Sequence, residues 1–466
     1  MGRIVFAGGG IVGTCAAMML ANDGHEVTVL ERDPSPPPPP DEAWDEWDRK
    51  GVNQFRMIHF FLARFREVAD VELPGLTDAM CAAGALRMNP LVGIPDEVTG
   101  GWQEGDERFE NVTARRPVGE SVVASMAAAT PGLTIRRGVA VAGVLTTTGP
   151  DGIVHVTGVR TEDGDDITAD LVIDSGGRRS AMAGWVRDAG SPGPKEMIED
   201  CGFVYYGRHY RSADGSIPPA FGGLLQPYGT ISILTLPADN GTWGMGVIAS
   251  SKDAAMRAVM DVDCWEKVVR SYPMVAHWID AEPITDIQVM AKIEDRQRTY
   301  VVDGTPVVTG VLPLADAWAC TNPSVGRGIS IGMVHSAALR SMLRDMPLDD
   351  PKAMALRWHE LTTEQVEPLF ADTLAFDRHR LAEIEAVIDG RSYETDDPGW
   401  ALGQALAASI MQGPDLLRGF IEVATLLDTG AGVLARPGLA ERAVALADPT
   451  PLPGPDRAQL LALIGA

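Results

Sequence analysis

Cysteine is scarce and scattered: five occur in 466 residues, at Cys15, Cys81, Cys201, Cys264 and Cys320, and no C-x-x-C pair is among them. An odd, widely spaced set excludes a disulfide framework and a cysteine-rich zinc site, and reads as reduced thiols of a cytoplasmic protein. The eight histidines form no H-E-x-x-H or comparable cluster, so no metal site is expected. Basic residues are few, 39 against 64 acidic, leaving a net charge of −25. Such a surface repels phosphate backbones and argues against a nucleic-acid partner. Long apolar runs are missing too: the most apolar late stretch, 401–427, is broken by Gly403, Gln404, Gly413, Pro414, Asp415 and Arg418, which excludes a membrane span. No G-x-S-x-G elbow follows a suitable strand, which removes the serine hydrolases. A first strand beginning at Ile4 leaves no room for the basic segment and apolar core of a signal peptide.

What the chain does have is a glycine cluster at its start. Ile4–Ala7 is an apolar strand that runs into Gly8, Gly10 and Gly13. A helix with apolar Ala16, Ala17, Met19 and Leu20 follows, then Gly24 as its cap, then a second strand, 26–30, ending at Glu31. This is the pattern of a dinucleotide-binding βαβ unit. The glycines permit a tight turn and close approach of backbone to a pyrophosphate, which the helix N-terminus attracts. Glu31 stands eighteen residues after Gly13, near the ~20 expected of the acid that takes the ribose hydroxyls.

At 466 residues and 45% apolar content the chain is globular and long enough for two or three packed units. A proline-rich loop, 34–40, is expected to be extended and exposed. Residues 55–69 carry a helical pattern, and a further helix starts after Leu73-Pro74-Gly75. Strand-like runs at 133–136, 139–146, 153–159 and 167–173, with tight turns such as Gly149-Pro150-Asp151-Gly152, predict an antiparallel meander. A second β-rich block spans about 201–289, and from about Leu348 the pattern is helical.

Two later motifs decide which dinucleotide is expected. Asp170-Leu171-Val172-Ile173-Asp174-Ser175-Gly176-Gly177-Arg178-Arg179-Ser180 is a strand running into a glycine turn, and Gly310-Val311-Leu312-Pro313-Leu314-Ala315-Asp316-Ala317 precedes Asn322-Pro323-Ser324-Val325-Gly326-Arg327-Gly328-Ile329. With the N-terminal fingerprint these resemble the three FAD motifs of the aromatic-hydroxylase-like (group A) flavoprotein monooxygenases, near the bacterial epoxidase-like and halogenase-like tailoring enzymes. The resemblance extends to Gly51–His59 and to Arg116. It implies an α/β fold: a Rossmann-like FAD-binding domain of the aromatic hydroxylase and glutathione reductase type, from segments 1–83, 112–190 and 296–345. A mostly β substrate domain, 84–111 and 191–295, is inserted, and 346–466 forms a helical C-terminal region.

The same resemblance implies that FAD is held by Gly8, Gly10, Ile11, Val12, Gly13, Glu31, Arg32, Gln54, Arg116, Val141, Asp316, Pro323, Gly326, Gly328 and Ile329. Asp316 would accept from ribityl hydroxyls, and the helix from about Ile329 would stabilise negative charge on the reduced ring. His59, Tyr205, Tyr206, His209, Trp318 and Cys320 are the substrate-side candidates, and no residue is assigned as catalytic. The implied reaction is insertion of one oxygen atom from O2 into a hydrophobic or aromatic small molecule, by hydroxylation or epoxidation through a C4a-hydroperoxyflavin, in secondary metabolism. NAD(P)H, or reduced flavin from a partner reductase, would supply electrons. The rival readings are a flavin-dependent halogenase, for which Trp243-Gly244-Met245-Gly246-Val247-Ile248 is a faint echo of the signature, an FAD-dependent dehydrogenase or reductase, and a noncatalytic flavin-binding relative. Three departures stand out. Ala315 replaces a usual glycine, Arg327 a usual glutamine, and Gly176 lies where hydroxylases often carry an aspartate tied to nicotinamide contacts.

Overall fold

The computed structural model of the protein describes residues 1–149 and 151–466. Five strands form a parallel sheet in the order Val311–Pro313, Leu171–Asp174, Arg3–Ala7, Glu26–Glu31, Leu133–Arg137. Their side chains are apolar on both faces, as a sheet covered on both sides requires. Ile4, Phe6, Val29 and Ile173 pack under the helices Ile11–Asn22 and Gly328–Asp345, while Val5, Leu30 and Val172 pack against Val154, Val156 and Val159 of a small antiparallel sheet. Parallel pairing sets the strand ends side by side: Ala7 lies opposite Leu30 and Asp174, and Asp174 opposite Pro313. The loops that leave these strands therefore meet along one edge, where open α/β sheets take their ligands.

The run 167–173, expected as one strand, is two. Asp166–Thr168 completes the antiparallel sheet of Val141–Thr148 and Val154–Thr161, and Leu171–Asp174 belongs to the parallel one. The handover lies between them: Ala169 N–H donates to Thr157 and Asp170 N–H to Arg3. Leu133–Arg137 likewise joins the parallel sheet as an edge strand and leaves the meander three strands wide. Of the turn expected at 149–152, Pro150 lies outside the described residues.

A larger antiparallel sheet is built from Leu225–Pro227, Ile231–Pro237, Thr242–Ser250, Phe203–Arg211 and Glu282–Pro283, with Gln288–Met290 also on Phe203–Arg211. Its back face carries Tyr206, Tyr210, Trp243, Met245 and Val247 into a core with Trp265 and Trp278. Its front face has a bare strip: a Cβ at Gly244 would lie 2.3 Å from Ile58, and one at Gly246 2.4 Å from it. Ile58 occupies that strip. The segment expected to be helical from Phe55 therefore stays irregular, and its helix begins at Ala63.

The C-terminal third is helical. Pro368 lies in the first turn of Glu367–Ile388, where its missing N–H costs nothing, so the chain breaks at Val366 after Pro351–Gln365. Pro398–Ala408, Pro414–Ala424, Gly430–Leu434 and Leu439–Leu446 share a small core of Leu406, Leu416, Val433 and Leu439. This cap grips the excursion around residues 89–109 through Leu417 and Ile421 on Leu91 and Phe109, and through an Arg418–Asp106 ion pair of 2.6 Å. The last helix, Arg457–Ile464, opens with a capping box of Asp456 and Gln459 and returns to the antiparallel sheet, where Arg457 pairs with Asp253. Among the described residues no helix is long and apolar enough to cross a membrane.

Candidate cofactor and substrate site

The glycines of the fingerprint divide into two kinds. Gly8 has φ +128°, and a Cβ there would meet the Ser175 carbonyl oxygen at 2.5 Å; one at Gly13 would meet Ser175 Cβ at 2.8 Å. These two let the 8–13 turn pack on the 174–177 turn, which the Ser175 hydroxyl ties to Gly8 O at 2.7 Å. Gly10 is different: a Cβ there meets nothing within 4 Å. It opens on a cavity of about 2330 Å³ and begins helix Ile11–Asn22 without a side-chain cap, leaving first-turn N–H groups for a ligand.

Beside it lies a buried charge cluster that sequence reasoning missed. Glu31 accepts from the N–H groups of Gly9 (3.2 Å) and Asp33 (2.8 Å) and from Arg49 (2.5 Å). Arg49 also donates to Glu120 (2.6 Å) and to Gly9 O (3.2 Å), and Arg116 reaches the other oxygen of Glu120 at 2.7 Å. Burial opposes ionisation of Glu120, but Arg116 and Arg49 outweigh it and hold the carboxyl below its ordinary range. No periodicity marks Arg49; its position after Trp47 gave no signal.

At the next strand end, Ala315 has φ +51°, a backbone conformation that a methyl-bearing residue adopts at a cost. Its N–H donates to Nδ1 of His335 at 3.1 Å, and the His335 ring stacks on Trp358 at 4.3 Å. Burial drives His335 down to about 3, so it is neutral and able to accept. Asp316 follows with its side chain exposed to the cavity and no hydrogen-bond donor from the described residues. Arg298, 1% exposed, braces this corner by donating to the carbonyls of Ala317 (2.7 Å) and Arg178 (3.1 Å). It docks the strand Glu294–Thr299 onto the parallel sheet's loops, and Arg296 instead pairs with Glu196 and Glu294.

The loop 321–328 closes the cavity. Cβ atoms at Gly326 and Gly328 would meet nothing within 4 Å, and helix Gly328–Asp345 starts there without a side-chain cap. Arg327 points away: it donates to Asp372 (2.7 Å), to Thr373 and to Val423 O (3.0 Å), clamping the C-terminal helices to the loop.

All fifteen cofactor-side positions named from the sequence line this one cavity, as do His59 and Tyr205. Tyr206, His209, Trp318 and Cys320 do not. Tyr206 points to the opposite sheet face from Tyr205, as strand alternation dictates, and joins the back core. His209 packs on Trp44 (4.8 Å), Trp318 on His335 and Phe370, and the Cys320 thiol, pushed up to about 12 by burial, donates to Glu294 O. The cavity has two halves. One carries the glycine turns with Arg32, Lys50, Arg178 and Arg179, which make no ion pair among the described residues, and Arg178 lies within reach of Asp316. The other end is walled by Leu225, Leu234 and Leu236 of the sheet, Met88, Val92 and Ile94 of the excursion, and Phe376, Trp400, Met411 and Phe420 of the C-terminal helices.

No protein-family model matches the chain. It is 28% identical over 365 residues to Protein Rv3254 of Mycobacterium tuberculosis, covering 73% of this chain and 72% of that one. Among solved structures it is similar to PqsL of Pseudomonas aeruginosa, titled a "probable FAD-dependent monooxygenase", with a TM-score of 0.59 at 14% identity, over 82% of this chain and 99% of that one. It is also similar to 2-methyl-3-hydroxypyridine-5-carboxylic acid oxygenase in its tetrameric form (TM-score 0.54, 15% identity, 89% and 97% covered) and to a variant of the flavin-dependent brominase Bmp2 (0.55, 15%, 96% and 99%). The chain shares its fold with these structures.

Within that fold the residues present suit FAD. Among the described residues, unpaired cations and uncapped helix N–H groups would suit a pyrophosphate, Asp316 would offer a carboxylate to hydroxyls, and Gly326 and Gly328 would leave room for a flat ring. A cavity of 2330 Å³ is well beyond the roughly 300–1,000 Å³ of a single drug-sized site, so a dinucleotide leaves space for a second molecule.

Proposed function

We propose that the protein is an FAD-dependent monooxygenase that places one oxygen atom of O2 into a neutral, largely apolar organic molecule. The two-part cavity is the observation that carries this reading: a cationic, glycine-lined end meets an apolar chamber at Asp316 and Pro323. FAD when bound supplies the oxygen activation. The chain supplies position, charge and exclusion of water. Substrate, O2, two electrons and two protons give the oxygenated product and water. NAD(P)H, or reduced flavin from a partner reductase, is the electron source.

The chamber's lining supports a neutral substrate. Two of its polar side chains are already engaged, Arg327 with Asp372, and His379 with Asp397 at 2.9 Å and with the Tyr393 hydroxyl. Beyond Arg178, whose charge acts on Asp316 at the chamber's mouth, a carboxylate or phosphate on the substrate would find no unpaired partner there among the described residues. Halogenation is disfavoured because that chemistry needs a lysine near the substrate, and among the described residues the cavity's lysine is Lys50, at the cationic end. Gly244 and Gly246, the faint halogenase echo, make room for Ile58. Free cysteines, among them the buried Cys15, Cys201 and Cys320, support a cytoplasmic setting.

The test is reduction of the FAD-loaded protein without oxygen by NADH, NADPH or dithionite, then admission of O2 with neutral polycyclic phenols and alkenes. A product heavier by one oxygen atom is expected. A product changed only in hydrogen count would instead make it a dehydrogenase.

A further inference from the structure

Two walls of the cavity come from distant parts of the chain, and one side chain joins them. On the cofactor side stands the loop 321–328, whose Pro323, Gly326 and Gly328 line the cavity. On the chamber side stands helix Pro414–Ala424, which lines it with Leu417 and Phe420. Arg327, 6% exposed, donates from one guanidinium nitrogen to Asp372 (2.7 Å) and Thr373 (3.2 Å) of helix Glu367–Ile388, and from the other to Val423 O (3.0 Å). Helix Pro414–Ala424 carries the connection onward. Besides pairing with Asp106, its Arg418 donates to Thr99 O (2.6 Å) and Gly101 O (3.0 Å), and its Glu422 accepts from Arg108 at 2.5 Å. Cofactor loop, cap and excursion are thus joined in series by charged hydrogen bonds.

We propose that Arg327 is a positioning residue that couples the two halves of the cavity: a ligand that orders the 321–328 loop also stiffens the cap that walls the apolar chamber. By reciprocity, a molecule held in the chamber tightens the cofactor by the same factor.

The loop has no second hydrogen-bonded route to the cap. Asn322 and Ser324 tie its first half to Asp377 of the long helix and to Tyr205 of the sheet. Among the described residues, the hydrogen bond that runs from this loop to the helix Pro414–Ala424 is the one Arg327 makes. The backbone on either side of Arg327 has no wall of its own, because Cβ atoms at Gly326 and Gly328 would meet nothing within 4 Å. Coupling of this kind needs no displacement: ordering one end of a connected body lowers the conformational freedom of the other. Arg64 provides the comparison. It donates to Leu426 O (2.9 Å) and Leu427 O (2.5 Å), just beyond the same cap helix, but from helix Ala63–Glu72 rather than from the loop. Its loss loosens the cap and leaves the tie to the loop in place.

Amide hydrogen exchange of the full chain reads the cap directly. The first arm uses saturating FAD and rests on the function proposed above. Exchange in Pro414–Ala424 should slow at least about fivefold in wild type and in Arg64→Met, and less than about twofold in Arg327→Met, while Gly328–Asp345 is protected in all three. Should Arg327→Met not fold, Arg327→Lys keeps the charge beside Asp372, gives up the fork that also reaches Val423 O, and carries the same expectation. A wild type that binds FAD with its cap unslowed, a cap still slowed in the Arg327 variant, or coupling lost equally in Arg64→Met overturns the proposal. The second arm needs no cofactor. Gly326→Ala, strained at φ +65°, should speed exchange in Pro414–Ala424 in the wild-type background and leave it unchanged in the Arg327→Met background. An effect of equal size in both backgrounds, or none in either, overturns the proposal as well. Failure of the wild type to bind FAD would sink the functional reading and leave this second arm standing.

Discussion

Replacing Arg49 by methionine removes the hub of the buried charge cluster and keeps most of the side chain's volume. The guanidinium loses hydrogen bonds to Glu31 (2.5 Å), Glu120 (2.6 Å) and Gly9 O (3.2 Å), in a setting where its side chain is 5% exposed. Hydrogen bonds to charged groups contribute about 1.5–3 kcal/mol each. The partners keep part of their support, Glu31 from two backbone N–H groups and Glu120 from Arg116. The loss then falls at about 3–5 kcal/mol, the usual cost of breaking a buried pair from one side, and a large share of the roughly 5–15 kcal/mol that holds a domain together. The pH dependence follows from Glu120. Its folded pKa is depressed, so its contribution is present above the ordinary glutamate range and is lost as pH falls through the folded value. The variant lacks much of that contribution and protonates the stranded Glu120 more readily. Urea unfolding followed by tryptophan fluorescence should show the full deficit at pH 7.5 and a narrower one at pH 4. A deficit under about 1 kcal/mol at pH 7.5, or one that widens toward acid, would refute the reasoning.

Four further substitutions probe the folding and binding roles of the cavity's wall. Gly10→Ala adds a methyl group into open cavity at φ −69°, so the apo-protein should melt within a few degrees of wild type while FAD affinity drops at least tenfold; Gly8→Ala, at φ +128° and 2.5 Å from Ser175 O, should fail to fold. Asp316→Asn removes a charge that is exposed to the cavity, so the apo-protein should melt within a few degrees of wild type at pH 8 and at pH 4 while FAD binds more weakly. Ala315→Gly relieves a φ of +51° worth about 1–2 kcal/mol but adds about 0.4–1 kcal/mol of chain entropy to the unfolded state, so thermal unfolding should show a net gain of about 0–1.6 kcal/mol.

The parallel sheet and its glycine turns were legible in the sequence because they rest on local rules: apolar strands, positive φ, and a helix that starts where a glycine ends the strand. Long-range choices were not. Alternation says that Tyr205 and Tyr206 face opposite ways, yet which face meets the cavity is decided by Trp243, Trp265 and Trp278 filling the back of the sheet. The helical pattern at 55–62 lost to Ile58 docking on Gly244 and Gly246, a strip assembled nearly two hundred residues away. Arg327 could have met phosphate, substrate or solvent. It meets Asp372 and Val423 O, a destination set by helices whose placement no local pattern encodes. The same holds for the C-terminal cap, legible as helices but not as the wall of the apolar chamber.

The most direct test of the central claim is titration of the apo-protein with FAD, following flavin fluorescence and melting temperature. Quenching that ends at one equivalent, a raised melting temperature, and affinity at least tenfold weaker in Asp316→Asn are predicted. A protein that stays colourless, with no quenching and no gain in melting temperature, would contradict it.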